Sequence, residues 1–350
     1  MKAVIITFFS IFLASCITGE GDVREQSSHF KEGEFNNYSH AQTHTFWEIV
    51  WTSLTTDFER ATWPEQVNTA VDESPLERVD GDNVRITFIN HATLLVQSGG
   101  YNILTDPVFS ERASPVSFIG PKRVHKPGIA LKNLPKIDAI VISHNHYDHF
   151  DLDSVNTLIE RDTPQIFTGL GVSQILENTS NVTEMDWGQS AQVDKNFKLW
   201  FLDVQHNSGR SLTDRNTTLW GGFLFEVGKK KIYFGGDTGY ADHYKRTFER
   251  FGSVDVAFLP LGAYSPRIMF KPVHLNPDEA VQAHKDLNAK VSIGMHFGTF
   301  QLSAEPRNEP VELLERAKLK AGIAASSFIT LDVGVPYNLS NTLLAQADRL

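Results

Sequence analysis

The sequence contains one cysteine, Cys16, among its 350 residues, and this excludes an internal disulfide. Basic residues are also few, because 32 Lys and Arg stand against 42 Asp and Glu, for a formal net charge of −10. No basic stretch is interleaved with aromatic residues, and we therefore expect no nucleic-acid partner. The apolar run at residues 3–13 is too short for a helix that crosses a bilayer of roughly 30 Å.

The first residues have the layout of a secretory signal. Lys2 precedes the apolar run, and small residues lead from it to Cys16. The stretch "LASC" at 13–16 resembles the bacterial lipoprotein signal, in which the cysteine becomes the acylated first residue. We therefore predict a signal peptide at 1–15 and an exported lipoprotein, anchored through Cys16 to a membrane on the periplasmic side of the bacterial envelope. An ordinary signal with a chance cysteine is the alternative.

Three further regions follow the signal. Residues 16–45 are polar and have no periodic apolar face, which predicts a flexible tether. Apolar residues at helical spacing between Phe46 and Trp63 predict a helical extension over 46–82. We expect this helix to pack on the main domain; an aromatic strip that contacts the membrane is the alternative. The main domain is predicted over 83–350.

The sequence predicts an α/β fold for the main domain. Strand-like stretches recur between residues 85 and 105 and again between 198 and 235, and each of these β-rich parts is followed by alternating helix and strand. This order predicts two sheets packed against each other, with helices on the outside.

A dense set of metal-ligand side chains follows one predicted strand. The stretch "SHNHYDHFD" at 143–151 comes directly after an apolar run. His144 and His146 are two residues apart, so in extended backbone both rings point to the same side, and Asp148 and His149 come next. Imidazole and carboxylate are ligands of zinc and its neighbours. Four ligands from one loop exceed what a single ion with an open position needs, and this favours two ions.

Other predicted strands also end in ligand-type residues, namely His206, Asp237 and His296. A lone histidine after a strand is more commonly a hydrogen-bonded core residue. The same placement in three segments downstream of the 144–149 cluster instead predicts a dinuclear metal site at the carboxyl edge of the sheets.

The pattern His-x-His-x-Asp-His with a later His, Asp and His resembles the metallo-β-lactamase superfamily, and within it the branch of N-acyl-phosphatidylethanolamine-hydrolysing phospholipase D. The stretches that carry the resemblance are "NHATLLV" (90–96), "LTDPVFSERASPVSFIGPKR" (104–123), "ISHNHYDHFD" (142–151), "GGDTGYADHY" (235–244), "LPLGAYSPRIMFKPVHLNPDEAV" (259–281) and "MHFGTF" (295–300). The resemblance implies the metallo-β-lactamase fold, a four-layer αββα sandwich.

The resemblance also implies a role for each site residue. One zinc would be held by His144, His146 and His206, and the other by Asp148, His149 and His296. Asp237 would bridge the two ions and take part in catalysis. The implied cofactor is a pair of Zn²⁺ ions, with iron or manganese as possible substitutes.

Other residues near the predicted ligands also receive roles, two of them from the resemblance. Asp106 would orient a ligand histidine, and His274 would face the substrate phosphate or the leaving group. His91 would support a metal ligand or the local structure, and a direct role in the site is an equally favoured alternative. From their positions in the sequence, five other histidines are expected at the surface of helices (His243, His284) or in the tether (His29, His40, His44).

The sequence departs from the family pattern at two places. Asn207 and Ser208 follow the third ligand histidine, where an aromatic residue is common, and Ser117 and Phe118 replace a more polar pair. Neither change affects a metal ligand, so the hydrolytic chemistry is expected to persist while the exact lipid stays open.

The function favoured is a membrane-bound zinc phosphodiesterase of phospholipase D type. It would act on N-acyl phospholipids and release phosphatidic acid and an N-acylethanolamine-like product, as a monomer or a homodimer. A lactonase or another hydrolase of the same fold acting on a small carbonyl substrate is the alternative. A metal-binding lipoprotein without catalysis, which docks a partner, and a nuclease of the same superfamily are less favoured.

Overall fold

The computed structural model describes residues 22–39, 48, 51–52, 55 and 58–339. Its strands are β1 (Phe30–Lys31), β2 (Glu34–Phe35), β3 (Val84–Asn90), β4 (Thr93–Ser98), β5 (Tyr101–Thr105), β6 (Ala139–Ile142), β7 (Gln165–Gly169), β8 (Val182–Met185), β9 (Ser190–Asp194), β10 (Phe197–Leu202), β11 (Gly222–Val227), β12 (Lys230–Phe234), β13 (Val256–Pro260), β14 (Val291–Met295), β15 (Phe328–Thr330) and β16 (Tyr337–Leu339). Its α-helices are α1 (Leu152–Asp162), α2 (His243–Phe251), α3 (Arg267–Phe270), α4 (Pro277–Asp286) and α5 (Glu309–Ala321).

Two mixed sheets of seven strands form the body of the described residues. The N-terminal sheet has the order β16-β3-β4-β5-β6-β7-β8, and the C-terminal sheet has the order β15-β14-β13-β12-β11-β10-β9. Strands β5 to β8 run parallel in the first sheet, and β12 to β15 run parallel in the second. Each sheet therefore has one half built from hairpins and one half built from crossover connections.

The main apolar core lies between the two sheets. Strand β6 shows how the sequence builds it, because its four residues are all fully buried but alternate between two clusters. Ala139 and Val141 belong to the core between the sheets, whereas Ile140 and Ile142 face the opposite side, where α1 packs. A strand buried on both faces reads as a continuous apolar run, which is how this strand appears in the sequence.

Helices cover the outer face of each sheet. Val155 and Leu158 of α1 pack on the N-terminal sheet, and residues of α2, α4 and α5 form a separate apolar cluster on the C-terminal sheet. The layer order is therefore helix, sheet, sheet, helix. The predicted α/β class and αββα sandwich are confirmed.

The fold brings the strand ends that carry the predicted site residues to one edge. Asp106 follows β5, the 144–149 cluster follows β6, Asp237 follows β12 and His296 follows β14. Carboxyl ends of parallel strands are where α/β folds place their binding sites, so the site follows from the topology.

The prediction of a flexible tether is wrong for residues 22–39. These residues form the β1-β2 hairpin, which turns at Glu32 and Gly33 with φ of 55° and 84°. The Phe35 side chain is fully buried in the core between the sheets, and its backbone N–H donates to the carbonyl of Asn216 at 2.8 Å. The strands are too short to show a period, so their packing is visible only in the fold. Cys16, His40 and His44 lie outside the described residues.

The prediction of a helical extension over 46–82 is wrong for residues 58–82, which contain no helix. Their backbone instead bonds to the main domain: Ala61 N–H donates to Ala304 at 2.9 Å and Val67 N–H to Val124 at 2.5 Å. Pro64 also disfavours a helix that would continue through it. The described residues 48, 51, 52 and 55 are helical, and the rest of 46–57 lies outside the described residues.

The sequence did not predict several short elements, three of which are strands at sheet edges. Strands β8, β9 and β16 and helix α3 have three to five residues each, and β9 alternates between half-buried and exposed positions. Weak burial leaves these elements no strong apolar pattern. Within the described ranges, no helix is both long enough and apolar enough to cross a membrane.

Candidate metal centre

Three imidazoles converge where the loops after β6 and β10 meet. Nε2 of His144 lies 2.8 Å from Nδ1 of His146, and Nε2 of His206 lies 3.4 Å from the same atom. These three nitrogens face one another, and His144 and His206 are each 1% exposed. They form the first group of the site.

A second group combines a carboxylate with two imidazoles. Oδ2 of Asp148 lies 3.4 Å from Nε2 of His149 and 3.4 Å from Nε2 of His296. His149 comes from the loop after β6, and His296 follows β14 of the other sheet. The second group therefore joins the two sheets at their common edge.

Asp237 lies between the two groups. Its Oδ2 atom is 3.0 Å from Nε2 of His296, 3.2 Å from Nε2 of His149 and 3.9 Å from Nε2 of His206. The carboxylate is 3% exposed and occupies the position from which one side chain can reach both groups. The structure thus brings together all seven side chains that the sequence predicts as ligands.

Hydrogen bonds behind the rings turn ligand nitrogens toward the centre. Ser143 Oγ donates to Asp106 Oδ2 at 2.6 Å, so it accepts from Nδ1–H of His144 at 2.9 Å. The carbonyl of Val273 accepts from Nδ1–H of His206 at 3.0 Å. Both rings therefore present the lone pair of Nε2 to the centre, which is how protein imidazoles bind metal ions.

Asp106 supports the second group in the same way. Its Oδ2 atom lies 2.6 Å from Nδ1 of His149, and its Oδ1 atom accepts from the backbone N–H of Ser143 at 2.7 Å. Burial raises the pKa of this carboxyl, although the bonds to His149 and Ser143 work against the shift. The predicted contact between Asp106 and a ligand histidine is present.

Opposite charges are concentrated in the second group. Burial opposes ionisation of Asp148 and Asp237, yet His149 and His296 hold the pKa of both carboxyls well below the usual range. Burial alone would lower the pKa of His149, but Asp237 and Asp148, together with the hydrogen bond that His149 donates to Asp106, raise it well above its usual value. Against the same burial, Asp237 and Asp148 raise the pKa of His296 to about 9. The site therefore stabilises positive charge.

His91 and His274 border this centre. Nε2 of His91 is 2.9 Å from Oδ2 of Asp148, and its ring lies 3.9 Å from that of His296. Nδ1 of His274 is 3.8 Å from Oδ2 of Asp237, and its side chain is 12% exposed, more than that of Asp237. His91 thus contacts two predicted ligands from the protein side, and His274 lies on the solvent side.

The chain behind His274 is firmly held. Arg267 donates to the carbonyl of His274 at 2.9 Å and to Oε2 of Glu279 at 2.7 Å. Asn276 and Glu279 form a capping box at the start of α4. These bonds fix the backbone from which the His274 ring extends.

Sequence reasoning missed several supporting residues. Arg210 donates to the carbonyls of Asn145 and Phe150, both at 2.8 Å, and so links the loop after β10 to the loop after β6. Thr299 accepts from the N–H of His91 at 2.9 Å. His125 lies 2.9 Å from the same Thr299 hydroxyl. No local sequence signal marks these residues, because each acts through partners far away in the chain.

The expectation of surface positions for His243 and His284 is wrong. They are 1% and 7% exposed, because α2 and α4 turn these residues toward the C-terminal sheet. Nδ1 of His284 lies 2.8 Å from the hydroxyl of Ser292 on β14. His29, expected in the tether, packs against the rings of Tyr38 and Trp187 at 4.4 and 4.7 Å.

The unsatisfied atoms of the site fit a divalent cation. Nε2 of His149, Nε2 of His296 and Oδ1 of Asp237 are buried and make no hydrogen bond to the described residues. Buried polar atoms without partners are costly, and these three lie beside further lone pairs that face inward. A positive ion satisfies such a donor set, and imidazole with carboxylate suits zinc and its neighbours.

Comparisons with known proteins agree with this geometry. The family model for the beta-lactamase superfamily domain matches residues 101–297. An N-acyl-phosphatidylethanolamine-hydrolyzing phospholipase D of Caenorhabditis elegans is 40% identical over 273 residues, 73% of this chain and 76% of its own. An uncharacterized protein of Mycobacterium tuberculosis is 36% identical over 90% of this chain and 84% of its own. The solved structure of a metallo hydrolase from Ignicoccus hospitalis has a TM-score of 0.55 at 21% identity and covers 74% of this chain and 99% of its own, which supports the fold.

Proposed function

Since the chain belongs to the beta-lactamase superfamily, in the branch that resembles N-acyl-phosphatidylethanolamine-hydrolysing phospholipase D, we propose that it is a dinuclear zinc phosphodiesterase of N-acyl phospholipids. Hydrolysis would release phosphatidic acid and an N-acylethanolamine-like product. The observation that carries the proposal is the carboxylate of Asp237, placed within 3.9 Å of nitrogens from both ligand groups. A carboxylate shared by two groups suits a pair of ions.

Two zinc ions are assigned to the two groups. One would be held by His144, His146 and His206 and the other by Asp148, His149 and His296, with Asp237 shared. When bound, the ions would neutralise charge on the phosphoryl oxygens and make water acidic enough to lose a proton near neutral pH. Iron or manganese would also suit these ligands.

The remaining side chains hold the substrate and guide protons. His274 is placed to hydrogen-bond a phosphate oxygen or the leaving oxygen, since it lies on the solvent side of Asp237. Burial lowers the pKa of His274 to about 4, so its ring is neutral near pH 7 and can both donate and accept. Oδ1 of Asp237, ionised and without a hydrogen bond to the described residues, is placed to orient the attacking water.

Apolar side chains near the site support a lipid substrate. A groove of about 410 Å³ beside the metal loop is lined by Tyr147, Arg210 and Val116, among others. On the two loops that flank it, Phe118 is 79% exposed and Leu212 is 80% exposed. Exposed apolar chains around a charged site are suited to a substrate with a charged headgroup and long acyl chains.

The proposal is tested with an N-acylphosphatidylethanolamine in mixed micelles, a generic phosphodiester and a lactone, assayed side by side in heavy-oxygen water. We expect both diesters to be cleaved, and mass spectrometry to find the heavy oxygen in phosphatidic acid because water attacks phosphorus. His146→Ala, which removes one nitrogen of the first group, serves as the inactive control. Turnover of the lactone alone would favour the carbonyl hydrolase, and label in the N-acylethanolamine would exclude attack at phosphorus.

We also propose that the enzyme is an exported lipoprotein whose acylated Cys16 keeps it at the membrane that contains its substrate. Multiple acyl chains anchor a protein stably, since each buried CH₂ contributes about 0.8 kcal/mol. Replacing Cys16 by serine should leave hydrolysis of soluble diesters unchanged and lower hydrolysis of vesicle lipid at matched concentration. Equal vesicle hydrolysis by the two proteins would rule out a role for the anchor.

A further inference from the structure

The backbone of His206 is held by a single side chain from the N-terminal hairpin segment, defined as residues 22–39. Nδ2 of Asn37 donates to the carbonyl of His206 at 2.8 Å, and the N–H of His206 donates to Oδ1 of Asn37 at 3.1 Å. The two residues are 169 positions apart in the chain. A primary amide offers the same donor and acceptor as a peptide group, so Asn37 pairs with His206 as a neighbouring strand would.

His206 depends on this pairing because it lies beyond the end of β10. That strand ends at Leu202, and the nearest ladder contact is an isolated bridge between Gln205 and Gly239. A buried backbone N–H and carbonyl need partners, and at His206 both are supplied by Asn37. The hairpin segment therefore completes the hydrogen bonding of a predicted metal ligand.

Asn37 is itself fixed by the fold. The indole N–H of Trp220 donates to Oδ1 of Asn37 at 3.2 Å, and two residues after Asn37 the Ser39 hydroxyl donates to Oε1 of Gln205. Two residues earlier, Phe35 is fully buried in the core, and Arg24 donates to the carbonyl of Thr217 at 3.1 Å. The amide of Asn37 thus has one orientation, set by contacts along the whole hairpin segment.

The position of the His206 backbone decides where its ring nitrogen lies. Nδ1 of the ring is bound to the carbonyl of Val273, and Nε2 lies 3.4 Å from Nδ1 of His146 and 3.9 Å from Oδ2 of Asp237. With the ring held at one end by Val273 and the backbone held by Asn37, Nε2 has little freedom. Residues that orient a ligand in this way commonly change metal affinity by 10–100-fold when they are removed.

We propose that Asn37 is a positioning residue for the metal ligand His206, and that the hairpin segment before the main domain is part of the metal site's framework. The inference rests on the proposed metal site, although not on the identity of the substrate. Through His206, a segment that lies before the matched family domain would therefore affect metal binding.

The test compares Asn37→Ala with Asn36→Ala in the full chain. Asn36 is the adjacent residue and is exposed, and its side chain bonds only to the carbonyl of Glu34 among the contacts described here. Metal-free protein is titrated with Zn²⁺ against a chromophoric chelator, and amide exchange is followed at His206. We expect Asn37→Ala to weaken at least one zinc-binding step by about 10–100-fold and to speed exchange at His206, with Asn36→Ala unchanged.

A second variant separates positioning from a general loss of folding. Asn37→Asp keeps an oxygen for the N–H of His206 and loses the donor to its carbonyl, so we expect an intermediate zinc affinity at an unfolding temperature close to that of the wild type. The inference would be overturned if Asn37→Ala bound zinc as tightly as the wild type. It would also be overturned if Asn36→Ala weakened zinc binding as much as Asn37→Ala does. Because substrate is absent from the titration, a failure of the phosphodiesterase proposal would show separately, as wild-type protein that binds zinc and cleaves no diester.

Discussion

Replacing Asp237 by asparagine is expected to lower kcat/KM by on the order of 10³-fold, because one carboxylate serves both ligand groups. Its Oδ2 atom lies 3.2 Å from His149 and 3.9 Å from His206, and an amide of the same shape removes the negative charge between them. The loss should appear in kcat measured on a soluble phosphodiester, and elemental analysis of the purified variant should find less bound metal than in the wild type.

Asp242→Asn is the matched control for this substitution. Asp242 follows five residues later, and its side chain is 77% exposed, with a carboxylate 3.7 Å from Nζ of Lys245. A surface ion pair of this kind contributes little, so activity, metal content and unfolding temperature should remain those of the wild type. If Asp237→Asn kept the wild-type kcat/KM and the full metal content, Asp237 would not be a ligand that both ions share.

Replacing Asp106 by asparagine is expected to lower zinc affinity and kcat by about 10–100-fold while the fold persists. The carboxylate accepts from His149 Nδ1 at 2.6 Å and from the backbone of Ser143. In the variant, an amide N–H₂ facing His149 would favour the tautomer that carries its proton on Nε2, the nitrogen that faces Asp237. Asparagine also tolerates the positive φ of 33° at this position better than alanine does.

Asp162→Ala provides the comparison for this second prediction. Asp162 is also a buried carboxylate that accepts from a backbone N–H, that of Ile137 at 2.9 Å, but it lies at the end of α1 away from the site. Its removal should lower the unfolding temperature and leave zinc affinity unchanged. If Asp106→Asn instead loses stability without losing zinc affinity, as expected for Asp162→Ala, then Asp106 does not support the metal ligand His149.

The convergence of the site could be predicted from sequence because it follows from strand order. His144, Asp237 and His296 each follow closely after an apolar run, and these runs form strands whose ends share one edge. Short spacing placed His144 and His146 on one side of the chain without any tertiary information. The family resemblance implied that two ligand groups share one carboxylate. The structure adds the distances between that carboxylate and the ligand nitrogens.

The supporting contacts could not be predicted, since each depends on residues that are distant in sequence. Asn37 bonds to His206, 169 positions away, and Arg210 bonds to Asn145, 65 positions away. The hairpin segment that contains Asn37 has strands of two residues, which are too short for a periodic pattern. Its position is set by Phe35, which packs in a core built from later strands. Local polarity therefore favoured a tether where tertiary packing produced structure.

The most direct test of the proposed dinuclear site is the metal content of the purified protein, measured by elemental analysis together with turnover before and after resupply of Zn²⁺. We predict about two equivalents of transition metal per chain, loss of turnover when a chelator removes them, and recovery when zinc is returned. Less than one equivalent, with no gain in turnover on resupply, would contradict this prediction.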